Sequence, residues 1–257
     1  MHFFSPLVHI FGFCMALGIS TSVKAAETKQ GVSLTTASDS SQSEKDVANS
    51  LFTRKANGKD FLIYDALIKN GAPVDALTQA FQYFDRHPNE FTNKKTMALA
   101  DFSQCLGDQR FFVLDLVGGQ VKKMQVSHGL GSDPGLKGCS TQFSDENQSY
   151  KSSVGFYKTL DTYTGEYGHS LHVKGLSESN RSALAREVVV HPYDIGPGYS
   201  VFDCRAEKIR RGRPASQKYC LPEGDLTRGC FGIPRAFASK VVDELAGGAL
   251  IYAFSRK

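Results

Sequence analysis

Residues 111–117 and 120–126 are separated only by Gly118-Gly119, and no other stretch constrains the fold as strongly. Two glycines supply the positive-φ geometry of a two-residue hairpin turn. The first flank, Phe111-Phe112-Val113-Leu114-Asp115-Leu116-Val117, is rich in residues that suit a pleated surface. From Met97 onward the chain keeps to short β runs with a period of two, and residues 154–159, 170–175, 187–191 and 249–254 are predicted as strands. Residues 237–246 are predicted as a helix among them. Upstream the periodicity is helical. Phe61, Tyr64, Leu67 and Ile68 predict a helix from Asp60 that Asn70-Gly71 stops. Pro73 opens a second, with Leu77, Ala80, Phe81 and Phe84 on one face, and His87-Pro88 ends it. The sequence has no internal repeat. The expected fold is mostly β (α+β in class) with a small helical N-terminal segment.

Residues 3–22 are mostly apolar, and Val23-Lys24-Ala25-Ala26 follows them. Small side chains one and three positions before a cut are what signal peptidase accommodates, so residues 1–26 are expected to be a cleaved export signal. Pro6, Gly12 and Gly18 interrupt the run, which is short for a membrane span. Residues 27–55, rich in Ser, Thr, Lys and Gln, can bury little and are expected to form a flexible tether. Residues 56–257 are left as one folded domain. The formal net charge of +4 is too weak and scattered for a nucleic-acid partner but suits an anionic cell envelope.

Without Cys14, which leaves with the signal, the cysteines are Cys105, Cys139, Cys204, Cys220 and Cys230. An odd count in an exported chain flags one free thiol. Cys204 and Cys220 bracket a polar, basic segment, whose closure would stabilise the chain by on the order of 3 kcal/mol. Cys105 and Cys139 flank the predicted hairpin and could pair at its base. Cys230 remains. There is no Cys-x-x-Cys or Cys-x-x-His spacing, so no metal site is expected.

Cys230 lies in Thr227-Arg228-Gly229-Cys230-Phe231-Gly232-Ile233-Pro234. Gly229 permits close backbone approach and frees amides that could face a developing oxyanion. A helix is expected to open near Pro234, its dipole lowering the thiol pKa from about 8.5. A thiol nucleophile needs a proton acceptor, and imidazole suits that role near neutrality. His191 ends the apolar run Val188-Val189-Val190 and is the first candidate; His128, in Ser127-His128-Gly129-Leu130-Gly131-Ser132, is its rival.

At these residues the chain resembles the L,D-transpeptidase family, with its cysteine catalytic domain of the YkuD type, and most of all the branch of murein L,D-transpeptidase catalytic domain proteins. The pattern is a histidine at a strand end, then Ser/Thr-x-Gly-Cys: here His191, then Thr227-Arg228-Gly229-Cys230. Flanking stretches are similar too, among them Ala100-Asp101-Phe102-Ser103, Ser152-Ser153-Val154-Gly155-Phe156-Tyr157 and Ser170-Leu171-His172-Val173-Lys174-Gly175-Leu176. The similarity runs from about Asp60 to the C-terminus.

The resemblance implies a mostly β catalytic domain over residues 56–257 and a periplasmic or otherwise extracytoplasmic enzyme. Cys230 would be its nucleophile and His191 its base, with the amides of Gly229 and Cys230 holding the oxyanion. The implied substrates are the peptide stems of peptidoglycan, acylating Cys230 with release of a terminal D-residue. No cofactor, nucleic acid or stable protein partner is implied. Arg228, Thr227, His128 and His169 are the candidate substrate-binding residues, Arg228 because a guanidinium matches carboxylate geometry. The alternatives are an L,D-carboxypeptidase or other wall hydrolase on the same scaffold, and a non-catalytic wall-binding protein. The chain departs from the branch in Thr227-Arg228 for the usual Ser-Trp and in Pro192 for the usual Gly after the base. Base and nucleophile stand 39 positions apart, more than the family norm. The surplus coincides with the Cys204–Cys220 segment, expected as a disulfide-clipped insertion over the site.

Overall fold

A computed structural model of the protein describes residues 53–56, 59–193, 202–203, 219–220 and 226–256. The expected export signal, most of the tether and the Cys204–Cys220 clip lie outside the described residues.

The chain opens with a short antiparallel pair, β1 (Thr53–Ala56) and β2 (Lys59–Leu62), followed by helices α1 (Ile63–Lys69) and α2 (Val74–Arg86). The first helix therefore begins three residues after the predicted Asp60. Asp60 and Phe61 pair instead with Lys55 and Arg54, residues whose polarity made them look like the end of the tether. Asp65 in the first turn of α1 and Lys69 in the last complement the helix dipole, and Gly71 (φ +87°) turns the chain out of the helix.

The remaining strands are β3 (Thr96–Asp101), β4 (Phe111–Asp115), β5 (Val121–Met124), β6 (Gly155–Gly165), β7 (Gly168–Gly175), β8 (Val189–Tyr193), β9 (Phe202–Asp203), β10 (Tyr219–Cys220), β11 (Phe231–Pro234) and β12 (Leu250–Phe254), with helix α3 (Arg235–Leu245) before the last. β9 and β10 pair only with each other. The other eight, in the order β11-β8-β7-β6-β12-β3-β4-β5, form one sheet, parallel at β11–β8 and β12–β3 and antiparallel elsewhere.

The sheet's two edges are brought together. Past β5, the Ser127 amide donates to Gly232 O on β11 (2.7 Å), Thr227 N to His128 O (3.0 Å) and Leu130 N to Thr227 O (2.8 Å). The sheet is thus nearly closed into a barrel through the segment that follows β5.

Alternate residues serve opposite faces of the sheet. Ala98, Val113, Leu171, Val190 and Phe231 join α3 in one core. Met97, Leu99, Phe112, Leu114 and Leu250 pack with α1 and α2 in a second. Because the central strands are buried on both sides, they read as continuous apolar runs rather than as alternation.

Three further departures from the sequence reading have local causes. The β4–β5 hairpin is present, but its turn spans four residues rather than two. The Asp115 carboxylate captures the amides of Val117 and Gly118, and Asp115 N donates to Gln120 O. β6 and β7 are longer than predicted and form one hairpin whose tip is Glu166-Tyr167, with Gly165 opposite Gly168. The helix expected near Pro234 opens at Arg235, but β11 comes between it and Cys230.

The disulfide Cys105–Cys139 is formed, closing a separation of 34 residues, and Cys230 is a free thiol. Replacing both Cys105 and Cys139 by Ala is expected to cost about 4 kcal/mol by the chain-entropy relation. Urea unfolding followed by circular dichroism would read this as a lower midpoint.

Candidate active site

The loop before β11 is held by its own side chains and by one buried arginine. Thr227 is buried; its Oγ1 donates to Cys230 O (2.9 Å) and accepts from Gly229 N (3.2 Å). Gly229 has φ +120°, and a Cβ there would lie 2.7 Å from Lys151 O and 3.1 Å from Arg186 Nη2. Only glycine fits that passage. The Arg186 guanidinium donates to Lys151 O (2.6 Å), Ser144 O (3.0 Å) and Ser153 Oγ (2.6 Å), which fixes the wall that Gly229 passes. Arg228, between these constraints, is exposed, with its guanidinium carbon 5.5 Å from the Tyr150 ring centroid.

Parallel pairing of β11 with β8 sets Phe231 opposite Val190 and Gly232 opposite His191. Phe231 and Val190 point into the α3 core, so Cys230, Gly232 and His191 belong to the other face. Cys230 stands two positions before Gly232 on the neighbouring strand line, roughly 8 Å from His191 by strand spacing and rise.

The Cys230 thiol donates to Glu187 O at 3.6 Å, and Glu187 itself sits at φ +56°, an uncommon conformation for a residue with a Cβ. Burial pushes the thiol pKa above its ordinary value, opposed by the Val189 amide and by Arg186. This corrects the expected lowering by a helix dipole. The four residues of β11 carry Cys230 about 13 Å from the first turn of α3, beyond the reach of a terminal dipole.

His191 is 2% exposed. Its Nδ1 faces Pro192 O at 2.9 Å; the carbonyl can only accept, so Nδ1 carries the proton and Nε2 keeps a free lone pair. Burial lowers its pKa, and Arg235 adds to the effect. Both shifts favour a neutral thiol beside a neutral imidazole at rest.

The other sequence candidates fall elsewhere. His128 is fully buried. Arg110 Nη2 donates to its Nδ1 (2.7 Å), and its Nε2 lies 3.9 Å from Asp133 Oδ2. It anchors the strand that carries the Thr227 bridge and has no surface to offer a substrate. His169 lies on the α3 side of β7, bound to Asp243 at 2.7 Å, whereas its neighbour but two, His172, lies on the Cys230 side and stacks on Tyr163 at 4.2 Å. Thr227 is committed to the loop and supports Cys230 rather than a ligand. Three residues were not singled out from sequence: Arg186, Glu187 and Tyr167, whose ring stacks on His191 at 4.4 Å. Nothing in their sequence spacing marks them, since each acts through a contact distant along the chain. Among the described residues no group of three or more His, Cys, Asp or Glu could hold a metal ion.

Residues 69–254 match a family model described as the L,D-transpeptidase catalytic domain. No curated protein matches the chain. Solved structures with some similarity include Bd1075 of Bdellovibrio bacteriovorus (14% identity, 62% of this chain and 48% of that one, TM-score 0.35). Others are an L,D-transpeptidase from Mycobacterium smegmatis (16%, 62% and 58%, 0.32) and the helical cell shape determining protein Pgp2 from Campylobacter jejuni (11%, 72% and 58%, 0.35). The chain spans about half to three fifths of the length of these proteins.

Two outcomes are expected from this geometry. Gly229→Ala must either move the Lys151 carbonyl or relax its own φ, so alkylation of Cys230 by iodoacetamide should slow by at least roughly tenfold, with a stability loss of about 1–3 kcal/mol. The second concerns His128, whose pKa burial lowers to about 4. The unfolded chain takes up that proton first as the pH falls. The corresponding stability is intact above about pH 6.5 and is lost towards pH 4, by on the order of 3 kcal/mol. Denaturation midpoints measured at pH 7 and 4.5 should show this slope in the native protein and a smaller one in His128→Gln, where only the contribution of His191 remains of the two buried imidazoles.

Proposed function

The chain belongs to the L,D-transpeptidase catalytic-domain family, and from that premise we propose that it is an extracytoplasmic cysteine acyltransferase acting on the peptide stems of peptidoglycan. The observation that supports this reading most directly is the β8–β11 pairing, which puts a free, uncharged thiol and a buried imidazole with an open Nε2 on one face of the sheet. The apolar run over residues 3–22 supports export, with residues 1–26 as the signal and the polar segment after it as a tether.

Cys230 Sγ attacks the carbonyl carbon of the stem's third residue while its proton passes to His191 Nε2. The negative oxygen of the tetrahedral intermediate is held by the Cys230 amide, the Gly229 amide being already given to Thr227 Oγ1. The C–N bond to the terminal D-residue then breaks, His191 returns the proton to the leaving amine, and a thioester remains on Cys230. An amine from a second stem, or water, attacks that thioester with His191 again as base. A neutral resting pair suits this order, because charge separates only once the electrophile is in place. Arg228, exposed on the rim beside Tyr150, is the group to receive a substrate carboxylate.

Purified protein mixed with a tetrapeptide stem should release the terminal D-residue, and mass spectrometry should find the acyl group on Cys230. An added amine should divert the acyl group into a new amide; capture by water alone would make the protein a carboxypeptidase. Cys230→Ala should abolish release, and Cys230→Ser should lower it by at least roughly a thousandfold, since a hydroxyl is far less ionised than a thiol. Stem processing by Cys230→Ala at the native rate would sink the assignment of the nucleophile.

A further inference from the structure

Two aromatic rings, Tyr167 and Tyr193, meet His191, and the proposed reaction uses neither; Tyr167 is the one that comes from another hairpin. Tyr167 occupies the two-residue tip of the β6–β7 hairpin. β7 pairs with β8 at Leu171↔Val190 and His172↔Val189. The strand then runs past those pairs, and a Cβ on Gly168 would lie 3.8 Å from Pro192 Cγ. The tip therefore leans over the second half of β8. Its conformation depends on both glycines: Gly168 has φ +101°, and a Cβ at Gly165 would lie 2.6 Å from the Tyr163 ring.

The result is an imidazole bounded on several sides. The Tyr167 ring stacks on it at 4.4 Å with planes 29° apart. Tyr193 meets it edge to face at 5.3 Å and 84°, and is itself tied by its hydroxyl to Leu226 O at 3.0 Å. Nδ1 is engaged by Pro192 O. On the β11 side the register neighbour is Gly232, which has no side chain. Tyr193 and Thr227 close over that glycine, since a Cβ there would lie 2.9 Å from Tyr193 Cγ and 3.1 Å from Thr227 Cγ2. Tyr167 is 46% exposed while His191 is 2% exposed, so the tyrosine stands between the imidazole and solvent.

We propose that Tyr167 is a positioning residue for His191: its stacked ring fixes the imidazole plane and keeps water from it, so that Nε2 exchanges its proton with Cys230 and the leaving amine alone. This rests on the reading of His191 as the base. In the forward step the thiol proton moves to Nε2 and the imidazolium faces the π surface of Tyr167, an arrangement that favours the cation. The proton then leaves with the departing amine, and the ring is neutral again. Arg235, at the start of α3, is the charged group that acts on this imidazole. The stack needs an aromatic ring and not the hydroxyl, so Tyr167→Phe should preserve it and Tyr167→Ala should not.

The test uses the full chain labelled with ¹⁵N, long-range ¹H–¹⁵N spectra of the histidine rings, and His191→Gln to assign the signals. At pH 7 the native protein and Tyr167→Phe should show His191 as a single Nδ1–H tautomer. In Tyr167→Ala the ring should average between tautomers, and its titration should move up toward the ordinary histidine value as water enters. In parallel, iodoacetamide should alkylate Cys230 roughly tenfold more slowly at pH 7 in Tyr167→Ala, and within about twofold of native in Tyr167→Phe. An unchanged tautomer and alkylation rate in Tyr167→Ala would overturn the proposal, even if KM for stems rose, because Tyr167 would then be a substrate contact only. Equal losses in the Phe and Ala variants would also overturn it by moving the role to the hydroxyl. Neither measurement uses a stem peptide, so failure to process stems would count against the substrate reading and leave this one standing.

Discussion

The parallel pairing of β11 with β8 is the constraint on which the site depends. It sets the strand that follows Cys230 beside the strand of His191 in one register, with Gly232 opposite His191. That register is held from both sides. A Cβ at Gly232 would meet Tyr193 Cγ at 2.9 Å, so the close packing there is available to glycine alone. On its other edge, β11 is bound by the Ser127 amide, and the loop before it by His128 O. Those residues hang on Arg110, whose buried guanidinium donates to Val126 O, Gln104 O and His128 Nδ1. A lone buried cation would be costly. Here it is satisfied by three acceptors, and although burial lowers its pKa to about 9 it stays protonated at neutral pH. The sheet closes over this ion, and closure positions the loop that presents Cys230.

The electrostatics of the site follow from its depth rather than from a helix terminus. Burial discourages both the thiolate and the imidazolium, which leaves an unreactive pair in the absence of an electrophile. On the proposed reading reactivity comes from geometry: an open Nε2, the Cys230 amide, and a wall built by Arg186 against the Lys151 carbonyl. Preorganised dipoles of this kind need no rearrangement when charge develops. The left-handed Glu187, whose carbonyl receives the thiol, belongs to the same wall. That conformation is held by its backbone bonds, Glu187 N to Leu184 O (3.1 Å) and the Cys230 thiol to Glu187 O.

Much of the architecture was legible in the chain. The apolar helical spacing of Leu77, Ala80, Phe81 and Phe84 is the buried face of α2. The hairpin at β4–β5 and the closing strand β12 follow from local pattern, whereas the pairing of Cys105 with Cys139 was left open by cysteine arithmetic and decided by the structure. An odd cysteine count flagged one free thiol; assigning it to Cys230 also took the pairing of Cys204 with Cys220, which lies outside the described residues, and the structure has Cys230 free. The four residues of β11 were not legible, because Phe231-Gly232-Ile233-Pro234 is too short and too rich in Gly and Pro to read as a strand. It becomes one only through partners that lie far away in sequence at Val190, His191 and Ser127.

What the sequence determined by itself was the inventory: which segments must bury one face, which thiol is left over, and which imidazole ends an apolar run. What the tertiary structure decided was sides and neighbours. His169 and His172 are equally plausible in the sequence, yet a period of two sends one to Asp243 on α3 and the other to the face of Cys230. His128 was the rival base in the sequence, yet closure of the sheet turned it inward to Arg110. Arg186 and Tyr167 have no local signature at all, since one acts across a loop and the other across the tip of a hairpin. The physical reason is the same in each case. Side-chain direction along a strand alternates with every residue, so a face is assigned by cross-strand register, and register is fixed by hydrogen bonds to residues that the local sequence does not contain.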